Sequence, residues 1–119
     1  MSAQSFNQSF SEIDVRTLAS CLQASPEAVQ LIDVREPQEL AIARVDGFLN
    51  YPLSEYQQWA EPILTDLDPH KETLVMCHHG RRSAQMCMWL VEQGFTDVKN
   101  IAGGIDAYAK AVDPSVPLY

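Results

Sequence analysis

Short apolar runs recur along this chain, separated by stretches with helical periodicity, and that alternation restricts the fold more than any other feature. Val29-Gln30-Leu31-Ile32-Asp33-Val34 and Thr73-Leu74-Val75-Met76 have the length and apolar content of buried strands. Asp14 stands as an N-cap before Val15, Leu18, Ala19 and Leu22, which share one helical face. Ser25-Pro26 ends that helix, and Glu36-Pro37 opens a helical turn through Leu40. Val45 to Tyr51 reads as a second extended stretch stopped by Pro52, and Ser54 as the cap of a helix carrying Tyr56, Trp59, Ile63 and Leu64. Asp66 to His70 is a loop. A helix follows from Ser83, with Ala84, Cys87, Met88, Leu90 and Val91 near one face and Gly94 at its C-terminal stop. Asp97 to Ile101 supplies a last strand, Gly103-Gly104 a tight turn, and Ile105 to Val112 the last helix. The expected fold is α/β: a small open parallel sheet flanked by helices on both faces, in a single domain.

Composition sets outer bounds on function. With 119 residues and 46% hydrophobic content, one compact core is expected. A net charge of −8 argues against binding nucleic acid or anionic lipid through the overall field. No apolar run approaches the length of a membrane span, and the N-terminus lacks the basic start and apolar stretch of a secretory signal. Residues 1–9 read as a flexible N-terminal tail and 10–119 as the folded domain. Three cysteines, Cys21, Cys77 and Cys87, make no closed disulfide framework, so the expected compartment is the reducing cytoplasm.

The chemistry concentrates at Cys77-His78-His79-Gly80-Arg81-Arg82-Ser83, directly after the Thr73–Met76 run. In open parallel sheets, ligands sit beyond the carboxyl ends of the strands, where Cys77 would lie. A polar loop curling onto a helix N-terminus turns backbone N–H groups into a small concavity that favours an anion. For a cysteine the favoured anion is the thiolate, the reactive nucleophile. Gly80 permits the tight backbone path, and Arg81 and Arg82 can present paired donors to a sulfonate-, sulfate- or phosphate-like group.

These residues resemble the rhodanese family of sulfurtransferases. Leu31-Ile32-Asp33-Val34-Arg35-Glu36-Pro37 with Glu39 is similar to the family's first signature, and Gly47, Asn50, Pro52 and Leu53 to the stretch that follows it. Cys77 to Ser83 resembles the active-site loop, and Asn100-Ile101-Ala102-Gly103-Gly104-Ile105 the closing signature. The likeness spans roughly residues 11 to 119. Arg44-Val45-Asp46-Gly47 departs from the family's frequent His-Ile-Pro-Gly, and Tyr108 stands where tryptophan is common; neither touches Cys77. The resemblance makes residues 10–119 a rhodanese-like domain and implies a ping-pong reaction. Cys77 would take sulfane sulfur from a donor such as thiosulfate, become a persulfide, and pass the sulfur to cyanide or a thiol. His78, His79, Gly80, Arg81, Arg82 and Ser83 would form the substrate-binding loop. That loop also separates this reading from a phosphatase or arsenate reductase on the same scaffold. Those enzymes carry arginine at the sixth position after the cysteine, where this chain has Ser83. A third reading is a non-catalytic protein-binding module, against which the intact Cys77 argues.

Other candidates have plainer explanations. Cys21 and Cys87 fall on apolar helix faces and read as core residues, with a Cys77–Cys87 redox pair as the alternative. Cys77, His78, His79 and His70 do not have the spacing of a structural zinc site, so no metal and no cofactor are expected. Histidines in the loop could tune the thiolate, donate a proton, or simply face solvent. Asp33, Arg35 and Glu39 read as a supporting ion pair and loop anchor. Tyr56, Trp59, Phe95 and Tyr108 sit at core-compatible spacing. The expected partners are a small-molecule sulfur donor and an acceptor that is either a small molecule or a protein. The expected assembly is a monomer or a weak homodimer.

Overall fold

The computed structural model describes residues 10–119, so the segment read as a tail, 1–9, lies outside the described residues. Five strands form one parallel sheet: β1 (Ser11–Ile13), β2 (Gln30–Asp33), β3 (Leu49–Asn50), β4 (Thr73–Met76) and β5 (Val98–Ile101), in the order β1-β5-β4-β2-β3. Helices α1 (Val15–Ala24), α2 (Pro37–Ile42), α3 (Tyr56–Trp59), α4 (Ile63–Asp66), α5 (Arg81–Glu92) and α6 (Gly104–Ala111) connect and cover it. This is the helix-flanked parallel sheet that the alternation of runs predicts.

Pleating sorts the central strands into two layers. Leu31, Leu74 and Met76 point toward α1 and α6, packing with Val15, Leu18, Ile105 and Ala109. Ile32, Val75 and Cys77 point the other way, into a layer built by Trp59, Ile63, Met86, Cys87, Leu90 and Phe95. Strand β4 is buried at every position because helices cover both of its faces.

Local chemistry explains most boundaries. Asp14 caps α1 by accepting the Thr17 N–H at 2.8 Å. Glu36 and Glu39 form a reciprocal capping box around Pro37 at the start of α2. Gly94, at φ 101°, ends α5 in the left-handed region as expected.

Four expectations are corrected. The helix placed after Ser54 is two short pieces, α3 and α4, because Pro62 has no N–H to continue an α-helical ladder. Ser54 therefore caps nothing, and its Oγ donates to Glu36 Oε1 at 2.5 Å instead. Of the residues placed on that helix, Trp59 and Ile63 are buried, whereas Leu64 and Tyr56, the latter read at core-compatible spacing, are exposed. Of the extended stretch at 45–51, only Leu49–Asn50 pairs in the sheet, against Ile32 and Asp33. The helix expected from Ser83 begins two residues earlier: Gly80, at φ 106°, turns the chain directly into α5 at Arg81.

Candidate functional site

Cys77 follows the last residue of β4 at the carboxyl edge of the sheet, and its side chain is almost fully buried. The chain must reverse sharply there to enter α5, and the next three residues do it. Gly80 N–H donates to Cys77 Sγ at 3.0 Å, so the N-terminus of α5 is aimed at the sulfur. Several such donors are expected from the loop's shape, but among the described residues Gly80 supplies the one backbone N–H within hydrogen-bonding distance. Ser83, in the first turn of α5 and fully buried, brings Oγ to 3.2 Å from Sγ.

The loop is clamped from below by a second helix. Ile105 N–H donates to Cys77 O at 2.9 Å and Asp106 N–H to His78 O at 3.1 Å, so the first turn of α6 grips two consecutive loop carbonyls. That approach requires Gly104, whose φ is 61° and whose place leaves no room for a Cβ against those same carbonyls.

The charged residues form a spine from sheet to loop. Arg35 and Asp33, both inaccessible to solvent, pair at 2.7 Å, with further bonds from Arg35 N–H and Nε to Asp33. Arg35 Nη1 also donates to the hydroxyl of Tyr119 at 3.0 Å, and that hydroxyl donates to Glu39 Oε2 at 2.9 Å. Glu39 in turn takes both prongs of Arg82, at 2.7 and 2.9 Å. This fork from Arg82, helped by the Glu36 N–H and Tyr119, holds the Glu39 carboxyl down at about 2 despite its partial burial. The Arg82 fork is thus occupied by Glu39 rather than open to a ligand. Arg81 is exposed and makes no ion pair among the described residues.

The histidines part company. His78 is sandwiched between His79 and Tyr119, with ring centroids 3.9 Å away on each side and the Tyr119 ring parallel to within 4°. Burial pushes its ring toward the neutral form, and neighbouring His79 adds to the effect. His79 is exposed. His70 sits before the opposite end of β4, where its N–H bonds Asp68. The donor set that does gather is His78, His79 and Asp106, with ligand atoms within 4.8 Å of one another. Stacked rings aim their in-plane lone pairs side by side rather than at one point, and Asp106 already pairs with Lys110 at 3.0 Å, so the set suits an ion poorly.

Cys87 lies in the same core layer as Cys77, and burial first, then the nearby Cys77, push its thiol up to about 12. Cys21 is only half-buried on α1. A concavity of about 690 Å³ is lined by residues such as Leu22, Val29, Leu31 and Leu49 and by none of the Cys77 loop.

Three contacts lie beyond what sequence reasoning singles out. Asn100, buried in β5, joins Ser83 to Gly80 and to Glu12 of β1. Its signal is a polar side chain at a buried position of the strand Val98–Ile101, which is tolerated there only if bonded. Glu12 becomes its partner because the parallel register sets it opposite Asn100. Tyr119, 84 positions from Arg35, gives no local signal at all.

Together the sheet order and the site define a class: a parallel α/β domain that presents a cysteine at the carboxyl edge of its central strand, cradled by the next helix. The rhodanese-like domain model matches residues 14–111, and the chain belongs to the rhodanese-like family. It is 47% identical over 110 residues to the rhodanese-like/PpiC domain-containing protein 12, chloroplastic, of Arabidopsis thaliana, covering 91% of this chain but 37% of that protein. It is 34% identical to a sulfurtransferase of Allochromatium vinosum, covering 83% of this chain and 88% of the relative. A rhodanese-related protein of Thermoplasma volcanium superposes with a TM-score of 0.72 at 29% identity, over 92% of this chain and all of that one. No helix of the described residues is long and apolar enough to cross a membrane.

Proposed function

We propose that the protein is a sulfurtransferase that carries sulfur on Cys77. The observation that carries this reading is Sγ at the carboxyl edge of the sheet with the Gly80 N–H on it at 3.0 Å, in a domain of the rhodanese-like family. The Allochromatium relative, similar along most of its length, is itself named a sulfurtransferase.

In the first half-reaction the Cys77 thiolate attacks the outer sulfur of a sulfane donor such as thiosulfate. A new S–S bond forms, the donor's S–S bond breaks, and sulfite leaves with the bonding pair. In the second, an acceptor thiolate or cyanide attacks the terminal sulfur, and Cys77 leaves as thiolate. Arg81, exposed at the first position of α5, is the cation placed to receive an anionic donor, since Arg82 is held by Glu39. His78, His79 and Gly80 form the rim. Asp33, Arg35 and Glu39 support the loop. The acceptor is a small thiol or an extended residue of a protein. Three free cysteines suit a reducing compartment, and the cytoplasm is the reading we keep.

Intact-mass analysis tests this directly. Reduced protein incubated with thiosulfate should gain the mass of one sulfur atom, lose it on treatment with cyanide or dithiothreitol, and gain nothing as Cys77→Ser. Retention of wild-type thiosulfate:cyanide activity by Cys77→Ser would overturn the mechanism. Turnover of an aryl phosphate that depends on Cys77 would establish the phosphatase reading instead. Failure to form a persulfide with any donor, alongside tight binding of a specific protein, would establish the binding-module reading.

A further inference from the structure

The imidazole next to Cys77 is held by the rings on either side of it. His78 Nε2 is shut away from solvent and has no hydrogen-bond partner among the described residues. A buried polar atom left unpaired carries a desolvation cost, which the ring would escape by turning out to water. The two rings that keep it in are not equal. His79 is exposed. Tyr119 is anchored: its hydroxyl accepts from Arg35 Nη1 at 3.0 Å and donates to Glu39 Oε2 at 2.9 Å, and its ring lies parallel to His78 at 3.9 Å. The segment that delivers Tyr119 is itself fixed. Asp113 turns the chain by accepting from the N–H and the hydroxyl of Ser115, and Val116 is buried in the layer of α1 and α6. Because α6 starts at the Cys77 loop and Tyr119 lies against that loop, residues 112–119 return over the length of the helix.

We infer that Tyr119 is a positioning residue for sulfur transfer: it pins the His78 imidazole against the Cys77 loop, so that the rim is formed before the donor arrives. The inference rests on Cys77 being the sulfur carrier. Tyr119 acts through His78 and not on the reacting sulfur. Its hydroxyl is tied to the Glu39 carboxylate that holds Arg82, and to the Arg35 that pairs with buried Asp33. The ring is therefore fixed relative to the sheet and to α5 together. Without it, His78 is free to swing out and hydrate Nε2, and only the molecules with the ring in place offer the formed rim. A donor that binds only that fraction shows a weaker apparent affinity, while molecules that have bound it react at the parent's rate. The loss belongs to half-saturation and not to the limiting rate.

Sulfur gain from thiosulfate, followed by intact mass over a series of donor concentrations, yields a half-saturating concentration and a limiting rate. Tyr119→Ala should raise the first by about two- to tenfold, the worth of one aromatic pair, and leave the second unchanged. Tyr119→Phe keeps the ring and loses both hydroxyl bonds, so it should fall between the parent and Tyr119→Ala. In a His78→Ala background, Tyr119→Ala should add nothing, because the ring it acts through is gone. An NMR titration of the His78 ring gives a readout independent of sulfur transfer. Burial holds its midpoint below the ordinary histidine value, with His79 and Arg82 pushing the same way and Asp106 and Glu39 opposing. Release of the ring to water should raise that midpoint in Tyr119→Ala. A lower melting temperature with both readouts unchanged would make Tyr119 merely structural, and the inference would be wrong. A limiting rate that falls at unchanged half-saturation would also sink it, as would an undiminished effect of Tyr119→Ala in the His78→Ala background. If the parent gains no sulfur, the Cys77 reading fails, while the His78 midpoint still decides whether Tyr119 holds the ring.

Discussion

At the scale of single residues, the site is held by polar groups whose partners are far away in sequence. Cys77, Gly80 and the two arginines are visible in the chain as a cysteine, a turn residue and cations after an apolar run. Their division of labour is not visible, because it depends on which carboxylate reaches which guanidinium. Glu39 shows this. It reads as part of a local charge group with Asp33 and Arg35, yet its carboxylate is bound to Arg82, 43 positions away, and to Tyr119. The pH dependence follows from its shift. The folded carboxyl sits at about 2 against an ordinary 4.5, so the pair adds stability that is fully present above about 4.5 and is lost as pH falls toward 2. Arg82 is partly exposed, which limits the contribution to roughly 1–2 kcal/mol. In urea unfolding, Glu39→Gln should be less stable than the parent by that amount at pH 7. The difference should close as both are titrated toward pH 2. A constant gap across that range would show that the pair stabilises through packing rather than charge.

At the scale of elements, the strands and helices with strong periodicity are legible and the short ones are not. Strand β1 has three residues, none of them fully buried, so no apolar alternation marks it. It exists because β5 offers a free edge, and its reward is the Glu12–Asn100 contact. The split of α3 from α4 is written in Pro62, which outweighs the apolar spacing around it. The docking of α6 against the Cys77 loop is a different case. Gly103-Gly104 is recognisable as a turn, but only the fold reveals that the second glycine lies against the carbonyls of Cys77 and His78. Gly104→Ala should therefore act twice. A left-handed alanine costs about 1 kcal/mol or more, and the clash adds to it by forcing the loop off the helix N-terminus. The measurable outcome is a drop in melting temperature together with a slower gain of sulfur from thiosulfate. Gly94→Ala, where a Cβ meets nothing within 4 Å, should lower the melting temperature while leaving that rate unchanged. Equal losses of rate in the two variants would refute a specific role for the α6 contact.

At the scale of the whole molecule, one thin sheet separates two hydrophobic layers, and Cys77 directly follows its central strand. Alternate residues along β4 and the position just after it feed opposite sides, Leu74 and Met76 toward α1 and α6, Val75 and then Cys77 toward α5. Neither layer can persist once the sheet is lost, since each is completed by side chains from the same four-residue strand. Damage to either layer should thus reach Cys77 equally. Leu18 and Leu90 are both fully buried, one in each layer. Leu18→Ala and Leu90→Ala should each cost about 2–5 kcal/mol through lost contacts and the cavity left behind. Trp59 and Trp89 report on the α5 layer by fluorescence, and amide exchange in α1 and α6 reports on the other. In urea, both probes should give one coincident transition for the parent and for each variant, because the shared sheet couples the two layers. If Leu18→Ala moved the amide-exchange transition of α1 and α6 while the tryptophan transition stayed in place, the layers would be independent. The sheet would then not be the coupling element that holds Cys77 in register with α5 and α6.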